Sequence, residues 1–311
     1  MTETPLVSVI IATYYRNGLV RDAIDSALSQ EYAPIEVIVV DDSGCGHARP
    51  VLEAYDEIKP IYREENGGWG AAYTDGINAA SGTYIQLLDD DDWLLPEKLS
   101  QCVDVLEEQP AIGVVYTGLI QDTTGRELPD PSYEGDVLEA TLRFRTFPCC
   151  TITMFLRRSV LLDCLPLSRE ADDLYLKLCL AQRTPFASID ACLAYRRSQE
   201  SRKWTGLRRT DEMRRILDVY ADLYSGYPAI RQHVRTEIAV REGEYWMEQR
   251  IWSIRAIVCF VRATWLAAEG RSRHAIRAIS SVFGRPGMSF ARWWYNRLSG
   301  RKTRRGDQID G

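Results

Sequence analysis

Four carboxylates in a row, Asp89, Asp90, Asp91 and Asp92, directly follow the apolar stretch TYIQLL at residues 83–88. Acidic side chains this close together repel one another unless a cation lies among them. Mg²⁺ and Mn²⁺ prefer oxygen ligands, and proteins commonly hold them with one or two carboxylates plus the phosphates of a substrate. Taken alone, the run predicts equally a metal site that binds a diphosphate and a solvated acidic turn that begins the next helix.

A second acidic pair, Asp41 and Asp42, follows the stretch EVIVV at residues 36–40. This stretch and VSVIIA at residues 7–12 are short, continuous and rich in β-branched residues, which is typical of strands buried on both faces. Ligands of open parallel sheets bind at the carboxyl ends of the strands. We therefore expect the two acidic groups to lie at one edge of a sheet and to face a common site.

The segments around these acids alternate between strand and helix. Strands are predicted at residues 7–12, 36–40, 58–63, 83–88 and 112–117, and helices at residues 18–30, 47–57, 66–80 and 97–109. Such alternation predicts an α/β fold in which helices flank a mostly parallel sheet. Further on, strands are predicted at residues 151–156 and 187–195, a helix at 172–181, and helices throughout from residue 204.

Several motifs with different mechanical roles resemble the family-2 glycosyltransferases, whose catalytic domain has the Rossmann-like GT-A fold. The resemblance covers about residues 5–200 and rests on three segments in the family's order, PLVSVIIATYYR, EVIVVDDSG and NGGWGAAYTDGINAASGTYIQLLDDDD. It implies a GT-A catalytic domain at residues 1–203, followed by a helical, basic region at 204–311. It also implies inverting transfer of a sugar from a nucleotide-sugar, with Mn²⁺ or Mg²⁺ as cofactor.

The same resemblance assigns roles at the donor site. Thr13 matches the position that touches the nucleotide, and one of Asp41 and Asp42 is expected to accept a hydrogen bond from the base, usually uracil. Asp89 and Asp91 are the outer members of the D-x-D motif, and Asp90 is expected to face the ribose or the donor sugar. The expected nucleotide-sugar contacts are Thr13, Tyr15, Asp41, Asp42, Asn66, Gly70, Tyr73, Asp89, Asp90 and Arg196, and the expected metal ligands are Asp91, as first choice, and Asp89.

Two positions depart from the family pattern. Tyr73 stands where the family often has an arginine that approaches the nucleotide, so Arg63 or Arg16 would have to supply that charge, and UDP and dTDP both stay open. The family places its catalytic base in a Glu-Asp-x-Asp-Leu segment, and a direct alignment puts Ala171 at that position. A shift by one residue puts Asp172 there, which we predict as the base, with Asp173 and Glu170 as alternatives. Acids that only begin a helix are the competing interpretation.

Charge divides the chain into an acidic body and a basic tail. Residues 250–311 hold 13 Lys and Arg against three acids, whereas the whole chain has a net charge of −6. Ile251, Ile254, Val258, Val261 and Trp265 would share one face of a helix, which is either core packing or a face that lies in a membrane interface. The stretch is too short and too charged for a membrane span. We predict peripheral contact of residues 250–311 with an anionic membrane surface and no binding of nucleic acid.

The function predicted from the sequence is an inverting glycosyltransferase. The donor is expected to be a UDP-sugar and the acceptor a glycan or a lipid-linked hydroxyl, in the biosynthesis of a cell-surface polysaccharide or glycolipid. A non-catalytic nucleotide-sugar binder is the alternative that Ala171 keeps open. A sugar nucleotidyltransferase is disfavoured because no glycine-rich, arginine-containing loop follows the first strand. Eight cysteines without a C-x-x-C pair predict reduced thiols in a cytoplasmic protein.

Overall fold

The computed structural model describes residues 4–167, 173–197 and 206–290. The chain divides into two compact units, Met1–Gln199 and Glu200–Gly311. The predicted boundary between residues 203 and 204 lies outside the described residues.

The first unit contains a single sheet and the helices that cover it. Its strands are β1 (Val7–Thr13), β2 (Ile35–Asp41), β3 (Ile58–Tyr62), β4 (Tyr84–Asp89), β5 (Asp92–Leu94), β6 (Val114–Gln121), β7 (Gly125–Glu127), β8 (Met154–Arg157) and β9 (Phe186–Arg196). Its helices are α1 (Asn17–Leu28), α2 (Arg49–Leu52), α3 (Trp69–Ala79), α4 (Lys98–Glu108), α5 (Leu138–Leu142), α6 (Arg158–Leu162) and α7 (Asp173–Ala181), with a 3₁₀ turn at Pro131–Tyr133.

Parallel pairing brings the predicted acids to one edge of the sheet. Strand β1 pairs in parallel with β2 and β4, and the register sets Thr13 opposite Asp41 and Ala12 opposite Asp89. Strand β3 continues this half on the far side of β2. The carboxyl ends of β1, β2 and β4 therefore lie side by side, as expected.

The other half of the sheet is mixed. Strand β8 runs antiparallel between β4 and β6, and β9 pairs in parallel with β6. The short β5 joins the far edge by antiparallel pairing with β9, which sets Asp92 opposite Arg196. The predicted strand at 112–117 is present as β6, but β8 separates it from β4. The α/β fold class predicted from the sequence is confirmed.

Both faces of the sheet are covered by apolar side chains. Along β1, Val9 and Ile11 pack in one cluster and Ile10 packs in the other, because successive side chains point to opposite faces of a strand. Complete burial of each such side chain stabilises the fold by about 1.5–3 kcal/mol. This two-sided burial explains why β1, β2 and β4 appear in the sequence as continuous apolar runs.

Two predicted elements are shorter than expected. The helix predicted at 47–57 is confined to α2, which has Pro50 in its first turn and ends at Leu52. The strand predicted at 151–156 starts only at Met154, because the residues before it form a turn in which the Thr153 hydroxyl accepts a hydrogen bond from the Cys150 amide. Side-chain bonding of this kind competes with regular backbone pairing.

The prediction that all cysteines are reduced is wrong for one pair. Cys164 and Cys179 form a disulfide, which links the turn after α6 to α7. The two cysteines lie 15 residues apart in the sequence, so no short motif predicts the disulfide. The other six cysteines are free thiols.

The second unit is helical over its described residues. Its helices are α8 (Gly206–Val219), α9 (Ala221–Ser225), α10 (Pro228–Gln249), α11 (Ile254–Leu266) and α12 (Arg271–Ser281). Helix α10 approaches α11 closely at Gly243, where an added Cβ would lie 2.6 Å from the Phe260 ring. Among the described helices, none has the length and apolar character needed to cross a bilayer.

Candidate active site

Three carboxylates converge where β4 ends and β5 begins. Asp89 is the last residue of β4, Asp92 is the first of β5, and Asp91 lies in the turn between them. Each offers one oxygen, and these oxygens all lie within 4.8 Å of one another. Hard oxygen ligands at this separation suit Mg²⁺ or Mn²⁺. The two predicted metal ligands are thus brought together, and Asp92 joins them.

Burial and mutual repulsion raise the pKa of these acids. Burial, followed by the charge of Asp91, raises the pKa of Asp89, and burial with the charge of Asp89 raises that of Asp92 well above its usual value. Burial also raises the pKa of Asp90 to about 6, although Arg16 and Thr13 act in the opposite direction. A divalent cation would remove the repulsion, so the donor set fits such an ion.

Arg16 shares one nitrogen between two of the acids. Its Nη1 lies 2.9 Å from Asp90 Oδ1 and 3.0 Å from Asp91 Oδ2. Thr13 Oγ1 donates a hydrogen bond of 2.8 Å to Asp90 Oδ2. Asp90 therefore connects the end of β1 to the end of β4. Arg16 places a positive charge beside the carboxylate cluster of Asp89, Asp91 and Asp92.

Tyr73 supports the acids from inside the protein. Its side chain is completely buried, and its hydroxyl donates a hydrogen bond of 3.0 Å to Asp89 Oδ1. Burial and the charge of Asp89 raise the pKa of the phenol well above its usual value, so it stays a donor. In this arrangement Tyr73 orients Asp89, and no sequence signal announced the contact.

The carboxylate of Asp42 is fully engaged with its own protein. Its four hydrogen bonds come from Arg63 Nη1 (2.5 Å), Asn66 Nδ2 (2.8 Å), Gly67 N (2.9 Å) and Gly68 N (2.8 Å). Two carboxylate oxygens offer about four acceptor positions, so Asp42 orders the glycine turn and has no position left over.

Asp41 keeps acceptor capacity. Its Oδ1 accepts from Ser43 N at 2.9 Å and its Oδ2 from Ala48 N at 2.8 Å, which leaves one acceptor position on each oxygen. Of the predicted acidic pair, Asp41 is therefore the one whose geometry suits a base N–H.

Two glycines of the turn before α3 stand at positions that disfavour a larger residue. Gly68 has a φ of +79°, in the left-handed region that favours glycine. A Cβ on Gly67 would lie 2.0 Å from Arg63 Nη1. Gly70 is buried in the first turn of α3, where its carbonyl oxygen accepts a hydrogen bond from Thr74 Oγ1. Together with Asn66, the turn connects β3 to α3.

Aromatic rings line the edge next to Asp41. Tyr14 and Tyr15 are about half exposed, and Tyr15 adopts a φ of +56°. The Tyr15 ring lies 4.6 Å from the His47 ring, centroid to centroid, and its hydroxyl lies 3.4 Å from the Ser43 carbonyl oxygen. Exposed flat rings of this kind can stack on a nucleotide base. His47 lies in no sequence motif, and only the structure brings it here.

Arg196, which the sequence predicts as a diphosphate contact, lies beside Asp92 of the carboxylate cluster. Its Nε is 3.8 Å from Asp92 Oδ2, and its Nη2 is 2.9 Å from the Cys150 sulfur. The backbone amide of Arg197 donates to Asp92 Oδ1 at 3.2 Å. The pairing of β5 with β9 brings Arg196 to Asp92.

The predicted catalytic base, Asp172, and the alternative Glu170 lie outside the described residues. Asp173 begins α7, where its Oδ2 lies 3.6 Å from Lys177 Nζ. An acid in the first turn is favoured by the helix dipole, so Asp173 is accounted for without a catalytic role.

Solved structures of glycosyltransferases resemble this chain, which confirms the predicted GT-A fold class. The crystal structure of S. aureus TarS in complex with UDP-GlcNAc matches with a TM-score of 0.60 and 17% identity, over 98% of this chain and 95% of that one. The mannosyltransferase PcManGT of Pyrobaculum calidifontis, in complex with GDP-Man and Mn²⁺, matches with a TM-score of 0.57 and 16% identity, over 97% and 89%. At these identities the comparison establishes the fold alone.

Sequence relatives point the same way. An uncharacterized glycosyltransferase of Nostoc sp., alr2836, is 34% identical over 44% of this chain and 44% of its own length. The putative teichuronic acid biosynthesis glycosyltransferase TuaG of Bacillus subtilis is 28% identical over 66% of this chain and 86% of its own length. The match to the first of these relatives thus spans less than half of its length. The model of glycosyl transferase family 2 matches residues 8–165, from the second residue of β1 to beyond β8, and this range includes Asp89, Asp91 and Asp92. The chain therefore belongs to that family.

Proposed function

We propose that the protein is an inverting glycosyltransferase that moves a sugar from a UDP-sugar to an acceptor hydroxyl. The observation that carries the proposal is the convergence of Asp89, Asp91 and Asp92 at the carboxyl ends of the strands. Ligands of such sheets bind at this edge. Asp89, Asp91 and Asp92 would hold Mn²⁺ or Mg²⁺, which when bound neutralises negative charge on the departing nucleoside diphosphate.

The chain's own residues would orient the donor around this group. Tyr73 fixes Asp89, and the Arg197 amide together with Arg196 fixes Asp92. Arg16 and Arg196 place two guanidinium groups within reach of a diphosphate, which compensates for the tyrosine at position 73. Guanidinium groups bind phosphate oxygens with two parallel hydrogen bonds.

Recognition of the base is assigned to Asp41 and the neighbouring rings. A uracil N3–H needs an acceptor, and Asp41 has acceptor positions left, whereas Asp42 has none. Tyr15 and His47 offer the stacking surface. The related structures carry UDP-GlcNAc in one case and GDP-Man in the other, so a nucleoside diphosphate sugar is the class they have in common.

Asp172 is proposed as the group that takes the proton from the acceptor hydroxyl as that oxygen attacks the anomeric carbon. Inversion needs such a base on the acceptor side. A glycan or lipid-linked acceptor in cell-surface polysaccharide or glycolipid synthesis is supported by the relation to the putative teichuronic acid enzyme of B. subtilis.

The helical unit would attach the enzyme to an anionic membrane surface on the cytoplasmic side. Ile254 (64% exposed), Val258 (61%) and Trp265 (81%) lie on one face of α11, opposite the buried Phe260. The stripe is therefore not used for core packing within the described residues. Exposed arginines at positions 255 and 262 flank it, which is the arrangement of a helix lying in a lipid interface.

Vesicle flotation of the full chain tests the membrane contact. The double variant Val258→Ser/Trp265→Ser should lose most of its binding to vesicles that contain phosphatidylglycerol. Val219→Ser removes an equally exposed valine from α8 and should bind like the wild type. Equal flotation of the double variant and the control would refute the contact.

Transfer itself is tested by turnover of a panel of UDP-sugars with Mn²⁺ and short glycan or lipid-linked acceptors. Asp172→Asn should bind the donor normally and lose at least about a hundredfold in turnover, in keeping with the usual contribution of a general base. Donor binding without turnover by the wild-type protein, on every acceptor tried, would favour the non-catalytic binder.

A further inference from the structure

The helical unit contains a cavity of 410 Å³ that the transfer reaction does not use. It lies between the end of α9, the first two turns of α10 and the last turn of α11, and all its lining residues belong to the helical unit. Cavities that bind small molecules commonly measure about 300–1,000 Å³. The space is thus sufficient for an organic molecule rather than a bare ion.

Two arginines one helical turn apart line this cavity. Arg231 and Arg235 stand at positions i and i+4 of α10, so their side chains share a face of the helix. Neither guanidinium has a carboxylate partner within the described residues. Among the described residues no acid lines the cavity, and its polar lining is completed by Tyr224, Ser225 and Gln232.

Two other arginines that involve α10 have carboxylate partners. Arg241, also on α10, contacts Glu237, and Arg277 contacts Glu244. Arg231 Nε, by contrast, is shielded from solvent and has no hydrogen-bond partner in the described part of the chain. A shielded polar atom without a partner costs free energy, so such atoms in native proteins call for a partner that binds them.

We propose that this cavity binds an organic phosphate through Arg231 and Arg235. Two planar guanidinium groups on one face match the oxygens of a phosphate ester. The first turn of α10 adds the positive end of a helix dipole. Gln232 and Ser225 can bind the hydroxyls of the organic part, and Leu266 offers an apolar wall. The phosphate comes from a lipid headgroup or from a soluble phosphate ester, and the experiment separates the two sources.

The test compares full-length proteins by calorimetric titration. The probes are sn-glycerol 3-phosphate, vesicles of phosphatidylglycerol and vesicles of phosphatidylcholine. Arg231→Gln/Arg235→Gln should lose about tenfold or more in affinity, because each charge-assisted hydrogen bond contributes substantially. The matched control Arg126→Gln/Arg241→Gln removes the same charge at two exposed positions and should bind like the wild type.

Each outcome decides the proposal. Binding of glycerol phosphate that only the cavity variant loses supports a soluble ester, and binding of phosphatidylglycerol alone, lost in the same variant, supports a lipid headgroup. Equal affinities of the cavity variant and the control, or binding of none of the probes, would overturn the site. Should the double variant fail to fold, Arg235→Gln alone changes an exposed residue and should still weaken binding about threefold or more. Donor turnover with soluble substrates is expected to be unchanged in every variant, which keeps this test separate from that of the proposed transfer.

Discussion

Arg16 Nη1 lies 3.0 Å from Asp91 Oδ2, the carboxylate that is predicted to bind the metal ion. The same nitrogen contacts Asp90. A guanidinium group and a divalent cation are therefore alternative partners of Asp91. In the proposed complex with metal and a diphosphate, Arg16 would turn to the phosphate oxygens, with which guanidinium groups form paired hydrogen bonds.

The first prediction follows from this competition. Arg16→Gln should bind Mn²⁺ several-fold more tightly, because a positive charge leaves the cluster, and should show a KM for the donor raised about tenfold, because the diphosphate loses a charged contact. Calorimetry with Mn²⁺ and steady-state kinetics measure the two effects. Arg21→Gln, an exposed arginine of α1, is the control. Unchanged values for both quantities in Arg16→Gln would show that Arg16 has no part in the site.

Metal binding should depend on pH in the range set by the acids. The pKa of Asp90 is raised to about 6, and those of Asp89 and Asp92 are also raised. Metal binding requires the ionised ligands, and the pKa values of Asp89 and Asp92 are raised, so Mn²⁺ affinity should fall as the pH is lowered and binding should release protons. Calorimetry in two buffers of different ionisation enthalpy counts those protons. An affinity that stays constant from pH 7.5 to 5 would contradict the raised pKa values.

The hydroxyl of Tyr73 should matter for the metal and little for packing. Tyr73→Phe keeps the buried ring and removes the hydrogen bond to Asp89, so Mn²⁺ affinity and turnover should each fall several-fold, equivalent to about 1 kcal/mol. The thermal midpoint should change by only a few degrees. Tyr55→Phe removes a hydroxyl that bonds Asp25 on the protein surface and serves as control. Loss of stability without loss of metal affinity would mean that the hydroxyl is structural.

A stability prediction concerns Glu36, far from the metal. Burial alone would raise its pKa, but hydrogen bonds from Lys59, Ser8 and Ser81 lower it to about 2. Its ionised form therefore stabilises the fold above the unfolded-state pKa of 4.5, and that stability is lost as the pH falls through about 2. Glu36→Gln should lower the free energy of unfolding at pH 7 by on the order of 2–3 kcal/mol.

Urea unfolding at several pH values checks this sign. The difference between Glu36→Gln and the wild type should shrink as the pH is lowered from 5 towards 2. Glu53→Gln, at an exposed i to i+4 pair with Arg49, should cost no more than a few tenths of a kcal/mol. A difference that grows towards acid pH would mean that Glu36 is not held in its ionised form.

How much the sequence could predict depends on the range of each interaction. Strands β1, β2 and β4 are recognisable because burial on both faces makes each a continuous apolar run, and the parallel register then brings Asp41 and Asp89 to one edge. Strand β5 has three residues, too few for a pattern, and exists because β9 pairs with it. The sequence therefore did not identify Asp92 as a partner of Arg196.

Side-chain contacts across long separations were also beyond prediction. Asp42 belongs to the predicted acidic pair, but the glycine turn that saturates its carboxylate lies 24 to 26 residues further along the chain. The helical spacing correctly places Ile254, Val258, Val261 and Trp265 on one exposed face of α11, whereas Ile251 precedes the helix. Whether that face is buried depends on which side packs against α10, and the helical spacing is the same in both cases.

Asp89, Asp91 and Asp92 are proposed to hold a divalent cation that binds the donor diphosphate. The most direct test of this proposal is the thermal midpoint of the wild type and of Asp91→Asn over a panel of nucleotide sugars, each with Mn²⁺ and with EDTA, because a ligand stabilises the state that it binds. UDP-sugars should raise the thermal midpoint of the wild type only when Mn²⁺ is present and should leave that of Asp91→Asn unchanged. An equal rise in EDTA, or an equal rise in Asp91→Asn, would contradict the proposal.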